Sequence, residues 1–303
     1  MGVSLSVIIL THNEEANLPA CLDSLKGLDC EVFVVDSGST DGTLEIAQTY
    51  SAHVVSHEFH TQAQQLNWAL DHLPLRGNWI LRLDADERLT PELVQELGFF
   101  LPVVDLGITG FYLKRRVYFM GRWIRHGGYY PTWLLRVWRK DVARAEDRMM
   151  DEHMILLRGR SDFLKHDIKE ENQKGLSAWL ERQNKYSTRE VEGFFQLRRG
   201  QEIHPSLFGT PEAKRRWLKH NLYLRFPKFI RAFLYFGWRY CFRLGFLDGK
   251  EGLIFHFLQG CWYRFLIDAK IYEVGSKDRQ RQSGAISGSF QAKQVAAKTL
   301  DDR

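Results

Sequence analysis

Leu5-Ser6-Val7-Ile8-Ile9-Leu10, broken off by Thr11-His12-Asn13-Glu14-Glu15, is the stretch on which the fold turns. Its apolar residues stand at odd and even positions alike. Both faces of such a strand are buried, the habit of parallel sheets rather than of half-wet antiparallel ones. Leu18, Leu22 and Leu25 then mark one face of a helix. The unit repeats. Glu31-Val32-Phe33-Val34-Val35 is a second buried strand, ending in the turn and cap residues Asp36-Ser37-Gly38-Ser39-Thr40-Asp41-Gly42. A helix over 44–50, a short strand over 53–56 and a helix over 62–73 follow. Trp79 to Leu83 is a fourth strand, with Asp84-Ala85-Asp86-Glu87 at its end. Thr90-Pro91 opens another helix as cap and first-turn proline, and Leu93, Leu97 and Phe100 give it a buried face.

Strand and helix alternate to residue 100, which predicts an α/β fold with a mostly parallel sheet flanked by helices. Such sheets bind ligands beyond the carboxyl ends of their strands. The three polar clusters, Thr11 to Glu15, Asp36 to Gly42 and Asp84 to Glu87, all fall there and so face one crevice. Residues 109–170 predict further strands, and 173–195 another helix.

Each cluster has a chemical reading and a plainer one. Asp84 and Asp86, one residue apart at a strand end, suit a hard cation such as Mg2+ or Mn2+ with a substrate diphosphate, or form a solvated acidic turn. Asp36 can accept from a base edge or ribose, or cap its own loop. Thr11, Asn13 and Glu14 can contact the nucleoside, or Asn13 can cap the next helix. Asp151-Glu152-His153 offers a carboxylate base to an acceptor hydroxyl, or is a surface charge run. In His126-Gly127-Gly128-Tyr129-Tyr130-Pro131 the glycines admit a close ligand and the tyrosines suit sugar faces, or the segment is a tight turn.

With these pieces in place the sequence resembles glycosyltransferase family 2, of GT-A Rossmann-like fold. The resemblance is carried by Ser6-Val7-Ile8-Ile9-Leu10-Thr11-His12-Asn13-Glu14-Glu15, by Val34-Val35-Asp36-Ser37-Gly38-Ser39-Thr40-Asp41-Gly42-Thr43 and by Leu81-Arg82-Leu83-Asp84-Ala85-Asp86-Glu87. It is strong over 4–100 and extends to about 190. Within the family the sequence is most similar to bacterial lipopolysaccharide-core and exopolysaccharide β-glycosyltransferases. The resemblance implies a nucleotide-sugar donor, UDP-linked by preference, a glycan or lipid-linked acceptor, and inverting transfer by single displacement. It implies that Thr11, Asn13, Glu14 and Asp36 bind the nucleoside. Asp84, Ala85 and Asp86 would hold the diphosphate, and Gly127 and Gly128 would line the donor sugar or acceptor. Asp86 and His166 would hold a divalent cation. Glu152 is preferred as base, although Asp151 stands where many relatives carry histidine.

Around this core the composition divides the chain into a catalytic region over 1–200, an amphipathic helical region over 201–273 and a polar tail over 274–303. Lys214 to Lys270 holds 12 Lys/Arg against 3 Asp/Glu, and 16 of the 40 aromatic residues. Phe226, Phe229, Phe233 and Phe236 fall at helical spacing. Basic residues with aromatic anchors suit an anionic membrane surface, which predicts a peripheral protein on the inner face of the cytoplasmic membrane. The plainer reading is a helical hairpin packed on the catalytic region or on a partner. No nucleic-acid motif accompanies the basic residues, and nucleic acid is not an expected partner. The four cysteines form no CxxC pair, and neither a secretory leader nor an apolar run of spanning length is apparent, so a reducing compartment is expected. Two rival readings share the fold: a sugar nucleotidyltransferase and a non-catalytic nucleotide-sugar or membrane scaffold. The first would place a glycine-rich basic loop after the first strand, where this chain has an acidic one.

Overall fold

The computed structural model describes residues 5–146, 153–197 and 226–276. Its first half alternates as the sequence predicts. β1 (Leu5–Thr11), α1 (Leu18–Asp23), β2 (Cys30–Asp36), α2 (Thr43–Thr49), β3 (His53–Ser56), α3 (Gln62–His72) and β4 (Trp79–Asp84) come in order. All seven residues of β1 are buried. Leu5, Val7 and Ile9 enter a core with α1, while Ile8 and Leu10 enter a second core with α3. That two-sided burial is why β1 shows no alternation.

β3, β2, β1 and β4 lie side by side and parallel, with Thr11 opposite Asp36 and Leu10 opposite Asp84. The three polar strand ends are therefore adjacent rather than merely on one edge. Capping fixes the helix entries: Thr61 accepts from Gln64 N at the start of α3, and Thr90 from Leu93 N before Pro91 opens α4 (Pro91–Phe100).

The sheet then changes character. After β5 (Glu87–Leu89) come β6 (Ile108–Phe119), β7 (Arg122–Trp123), β8 (Thr132–Arg139), the small hairpin β9 (Ala143–Ala145) and β10 (Met154–Leu156), and β11 (Arg160–Glu171). β8 runs antiparallel to both β4 and β6, β11 runs parallel to β6, and β5 closes the far side antiparallel to β11. The sheet is thus parallel where the three polar loops meet and mixed beyond, which brings β8 and β11 alongside the Asp84–Asp86 turn.

α5 (Gly175–Leu197) leads from β11 toward the carboxyl-terminal helices. These are α6 (Ile230–Gly237), a π turn over 238–242, a 3-10 turn over 245–248, and α7 (Gly249–His256), which continues through a second π turn to residue 276. The described part of the basic aromatic region is docked on the catalytic body. Phe255 packs with Val117, Phe119 and Ile124, and Tyr263, Ile267 and Ile271 pack with Val191 of α5. The expected four-phenylalanine helical stripe is corrected. Helix begins only at Ile230, because Phe229 takes a φ of +68° and its N–H turns to the Asp268 carboxylate. Phe226 and Phe229 therefore precede the helix that carries Phe233 and Phe236.

Candidate donor and metal site

The β1 and β2 loops tie to each other. Asp36 is 1% exposed and accepts Thr11 Oγ1 at 2.9 Å, Gly38 N at 2.9 Å, Ser39 N at 2.8 Å and Ser39 Oγ at 2.5 Å. Both of its oxygens are occupied by its own loops, so the carboxylate shapes this end of the crevice. Asn13, at a φ of +55°, donates its N–H to Ser39 Oγ and accepts Thr40 N at 2.7 Å. Glu14 accepts Asn17 Nδ2 at 2.7 Å and Lys174 Nζ at 2.6 Å. Lys174, just before α5, thereby spans the mouth of the β1 loop.

The two aspartates of the β4 turn have different surroundings. Asp84 accepts Arg136 Nη2 at 2.8 Å on one oxygen, and Gln62 Nε2 at 3.2 Å and Arg82 Nη2 at 3.5 Å on the other. Arg136 also donates to Glu87 at 2.6 Å, and the other Glu87 oxygen accepts Asp84 N at 3.0 Å. Burial opposes the Asp84 charge, but Arg136 and then Arg82 outweigh it and hold the carboxyl far below its usual range. Burial lifts Glu87 to about 7, against the pull of Arg136. Ala85 is buried in the first core, so only its backbone faces the turn. Asp86 places one oxygen on Asn172 Nδ2 and Arg182 Nη1, each at 3.1 Å. Its Oδ1 has no hydrogen-bond partner among the described residues.

These donor sets decide where a cation fits. Both Asp84 oxygens already accept hydrogen bonds, whereas Asp86 Oδ1 accepts none among the described residues. Among the described residues no group of three or more His, Cys, Asp or Glu forms a metal cage. One open carboxylate oxygen beside a diphosphate is how Mg2+ or Mn2+ is often held, with phosphate oxygens and water completing the shell. His166 is corrected as a second ligand. Its Nδ1 is bonded to Glu96 of α4 at 2.9 Å, while the residue bonded across from Asp86 is Glu171. His166 is thus engaged by α4 and lies five residues before the β11 residue that bonds Asp86. Asp151 and Glu152 lie outside the described residues. Their described neighbours Glu146 and His153 are joined by a 2.9 Å backbone bond, and β9 is pinned to α3 by Asn67.

Gly127 and Gly128 take φ values of +67° and +78°. A Cβ on Gly127 would stand 2.1 Å from His256 Cε1, so a side chain of the carboxyl-terminal helices fills the space beside it. Arg239 donates to Gly127 O at 2.7 Å and lies 3.9 Å from the Tyr129 ring centroid. Asp248, 2% exposed, accepts from Arg125 N, His126 N and His126 Nδ1, with His256 Nε2 at 3.4 Å. Tyr130 Oη donates to buried Asp167, which also pairs with Lys114 and Arg116. The loop is held by these contacts.

Fully buried His256 has a pH consequence. Burial, then the Arg239 charge, pushes its imidazole down to about 4, against the pull of Asp248. An unfolded histidine titrates near ~6.5, so the unfolded chain takes the proton first. The stability from this site is complete above ~6.5 and is lost as pH falls toward 4, by ~3 kcal/mol at most. Urea midpoints measured from pH 7 to 4.5 are expected to fall more steeply for the wild type than for His256→Gln; parallel curves would refute the assignment.

Residues 6–148 match the family model for glycosyl transferase family 2. The lipopolysaccharide core biosynthesis glycosyltransferase LpsC of Rhizobium meliloti is 28% identical over 285 residues, covering 89% of this chain and 92% of LpsC. An uncharacterized glycosyltransferase of Rickettsia typhi is 37% identical over 95 residues, 31% of this chain and only 32% of that protein's own length. Among solved structures, the mannosyltransferase PcManGT of Pyrobaculum calidifontis, in complex with GDP-Man and Mn2+, aligns over 90% of this chain and 87% of its own with a TM-score of 0.51. At 17% identity that likeness speaks for the fold alone. The family match falls on the three strand-end loops that the sheet brings together, so residues 6–148 carry the pattern of glycosyl transferase family 2.

Proposed function

We propose that the protein transfers a hexose from a nucleotide sugar, UDP-linked by preference, to a hydroxyl of a lipopolysaccharide-core, lipid-linked or exopolysaccharide acceptor, with inversion. The observation that carries this reading is the adjacency of the β1, β2 and β4 ends with an open Asp86 oxygen among them; the similarity to LpsC supports the acceptor class. The Thr11–Asp36 loops shape the nucleoside end, and Asp86 faces the diphosphate. A magnesium or manganese ion on Asp86 would neutralise charge on the departing diphosphate. Glu152, from the sequence, takes the acceptor proton as the acceptor oxygen bonds to the anomeric carbon and the bond to the diphosphate oxygen breaks. A donor screen reading nucleoside diphosphate release, with and without Mn2+, tests this. Cation-dependent release of UDP is expected, and Glu152→Gln is expected to suppress it. Release of pyrophosphate would instead select the nucleotidyltransferase.

The same reading places the protein peripherally on the inner face of the cytoplasmic membrane. Among the described residues no helix is long and apolar enough to cross a membrane. Supporting attachment, Phe233, Trp238 and Phe242 are 57%, 53% and 75% exposed beside Lys228 and Arg243. Large exposed apolar groups in a basic stretch match the chemistry of an anionic bilayer. Serine at all three positions is expected to weaken co-sedimentation with phosphatidylglycerol vesicles roughly a hundredfold. Unchanged sedimentation, or none by the wild type at low salt, would exclude attachment through this surface.

A further inference from the structure

Arg182 is paired with Asp86, and its setting differs from that of the arginine on Asp84. Arg136 is 6% exposed at its side chain and bridges two carboxylates, so it has no other place to go. Arg182 is 31% exposed and its Nη1 holds one oxygen of Asp86 at 3.1 Å, on a carboxylate that is 11% exposed. The helix beneath it is fixed. Lys270 Nζ bonds Asn184, Ser187 and Thr188, and Tyr263 and Arg264 bond Glu190. The Arg182 side chain can therefore swing while α5 stays in place.

We propose that Arg182 is an exchangeable counter-ion, which neutralises Asp86 in the donor-free protein and passes to the diphosphate when a divalent cation takes Asp86. This rests on the donor-site reading above. The electrostatics give the exchange a direction. Asp86 is nearly buried, and a buried carboxylate without a cation is costly. A metal ion arriving alone must break the Arg182–Asp86 pair and release the guanidinium to water, with no anion in exchange. A metal ion arriving with a nucleoside diphosphate supplies that anion, since guanidinium pairs phosphate oxygens by two parallel hydrogen bonds. The exchange therefore couples the two ligands, and cation and nucleotide enter together. Asp84, locked to Arg136, takes no part in it, so the two acidic residues of one turn divide into a fixed pair and a working one.

Mn2+ binding followed by electron paramagnetic resonance, with and without UDP, separates the possibilities. The wild type is expected to bind Mn2+ alone weakly and about tenfold more tightly with UDP. Arg182→Met is expected to bind Mn2+ alone about tenfold more tightly than the wild type and to lose most of the enhancement by UDP. Arg182→Gln, which keeps a polar side chain, is expected to do the same, and Arg182→Lys to retain the coupling. Unchanged Mn2+ affinity in both neutral variants overturns the exchange, and that arm needs no nucleotide. Asp86→Ala separates the two ideas. If it abolishes Mn2+ binding while the neutral variants leave it untouched, the site reading stands and the exchange fails. If it binds Mn2+ with UDP as the wild type does, the site reading fails.

Discussion

Asp86→Ala is expected to lower kcat for glycosyl transfer roughly a thousandfold, about 4 kcal/mol of transition-state stabilisation, while leaving the fold intact. Among the described residues its Oδ1 has no hydrogen-bond partner and can meet a diphosphate-bound cation, whereas both Asp84 oxygens are engaged by Arg136, Arg82 and Gln62. The structural cost is small. The side chain left behind is Arg182, 31% exposed and able to turn to water. The variant should therefore melt within a few degrees of the wild type, and its residual activity should no longer respond to Mn2+. Steady-state release of nucleoside diphosphate and a thermal melt together decide the matter. Activity within threefold of wild type would remove Asp86 from the reaction.

The crevice was legible because its signals are local. A strand buried on both faces announces itself as an unbroken apolar run, and a parallel sheet of such strands sets their polar ends side by side. What escaped was set by contacts distant in sequence. Arg136 acts on Asp84 and Glu87 from 52 and 49 positions away, and its only signal was a charge inside Leu134-Leu135-Arg136-Val137-Trp138. Arg182 and Asn172 reach Asp86 from 96 and 86 positions away, with nothing in their own stretches to mark them. Gly127 reads as room for a ligand, yet the space beside it belongs to His256. His166 was carried over by its position in a family pattern, and its actual partner, Glu96, reaches it from α4, 70 positions away.

Those contacts also change how the carboxyl-terminal helices relate to the site. Composition marks them as a basic, aromatic appendage. Their inner face instead supplies Arg239, Asp248 and His256 to the Gly127–Gly128 loop and steadies α5 through Lys270. The outer face keeps its exposed rings. One element then both shapes the catalytic region and offers the surface proposed to meet the bilayer.

The largest stability effect is expected at Arg136. Arg136→Met leaves Glu87, 1% exposed at its side chain, and Asp84 without the guanidinium that bridges them. Removing one partner from a buried ionic cluster costs about 3–5 kcal/mol, because the remaining charges stay out of water. The loss should grow with pH. Glu87 sits at about 7 with Arg136 present, and removing that charge raises it further above the value it has when unfolded. A folded carboxyl raised in this way keeps its proton at pH 5, where little is lost, and is forced to ionise in the interior as pH climbs past 7. Urea midpoints should therefore separate the variant from the wild type more widely at pH 8 than at pH 5. Arg136→Lys should recover only part of the difference, since an ammonium lacks the planar fork that spans two carboxylates. A loss below about 1 kcal/mol with no dependence on pH would mean that Arg82, or Arg115, whose charge also pulls on both carboxyls, takes over both acids. The cluster would then be a redundant patch of charge, and the division between a fixed Asp84 and a working Asp86 would lose its structural basis.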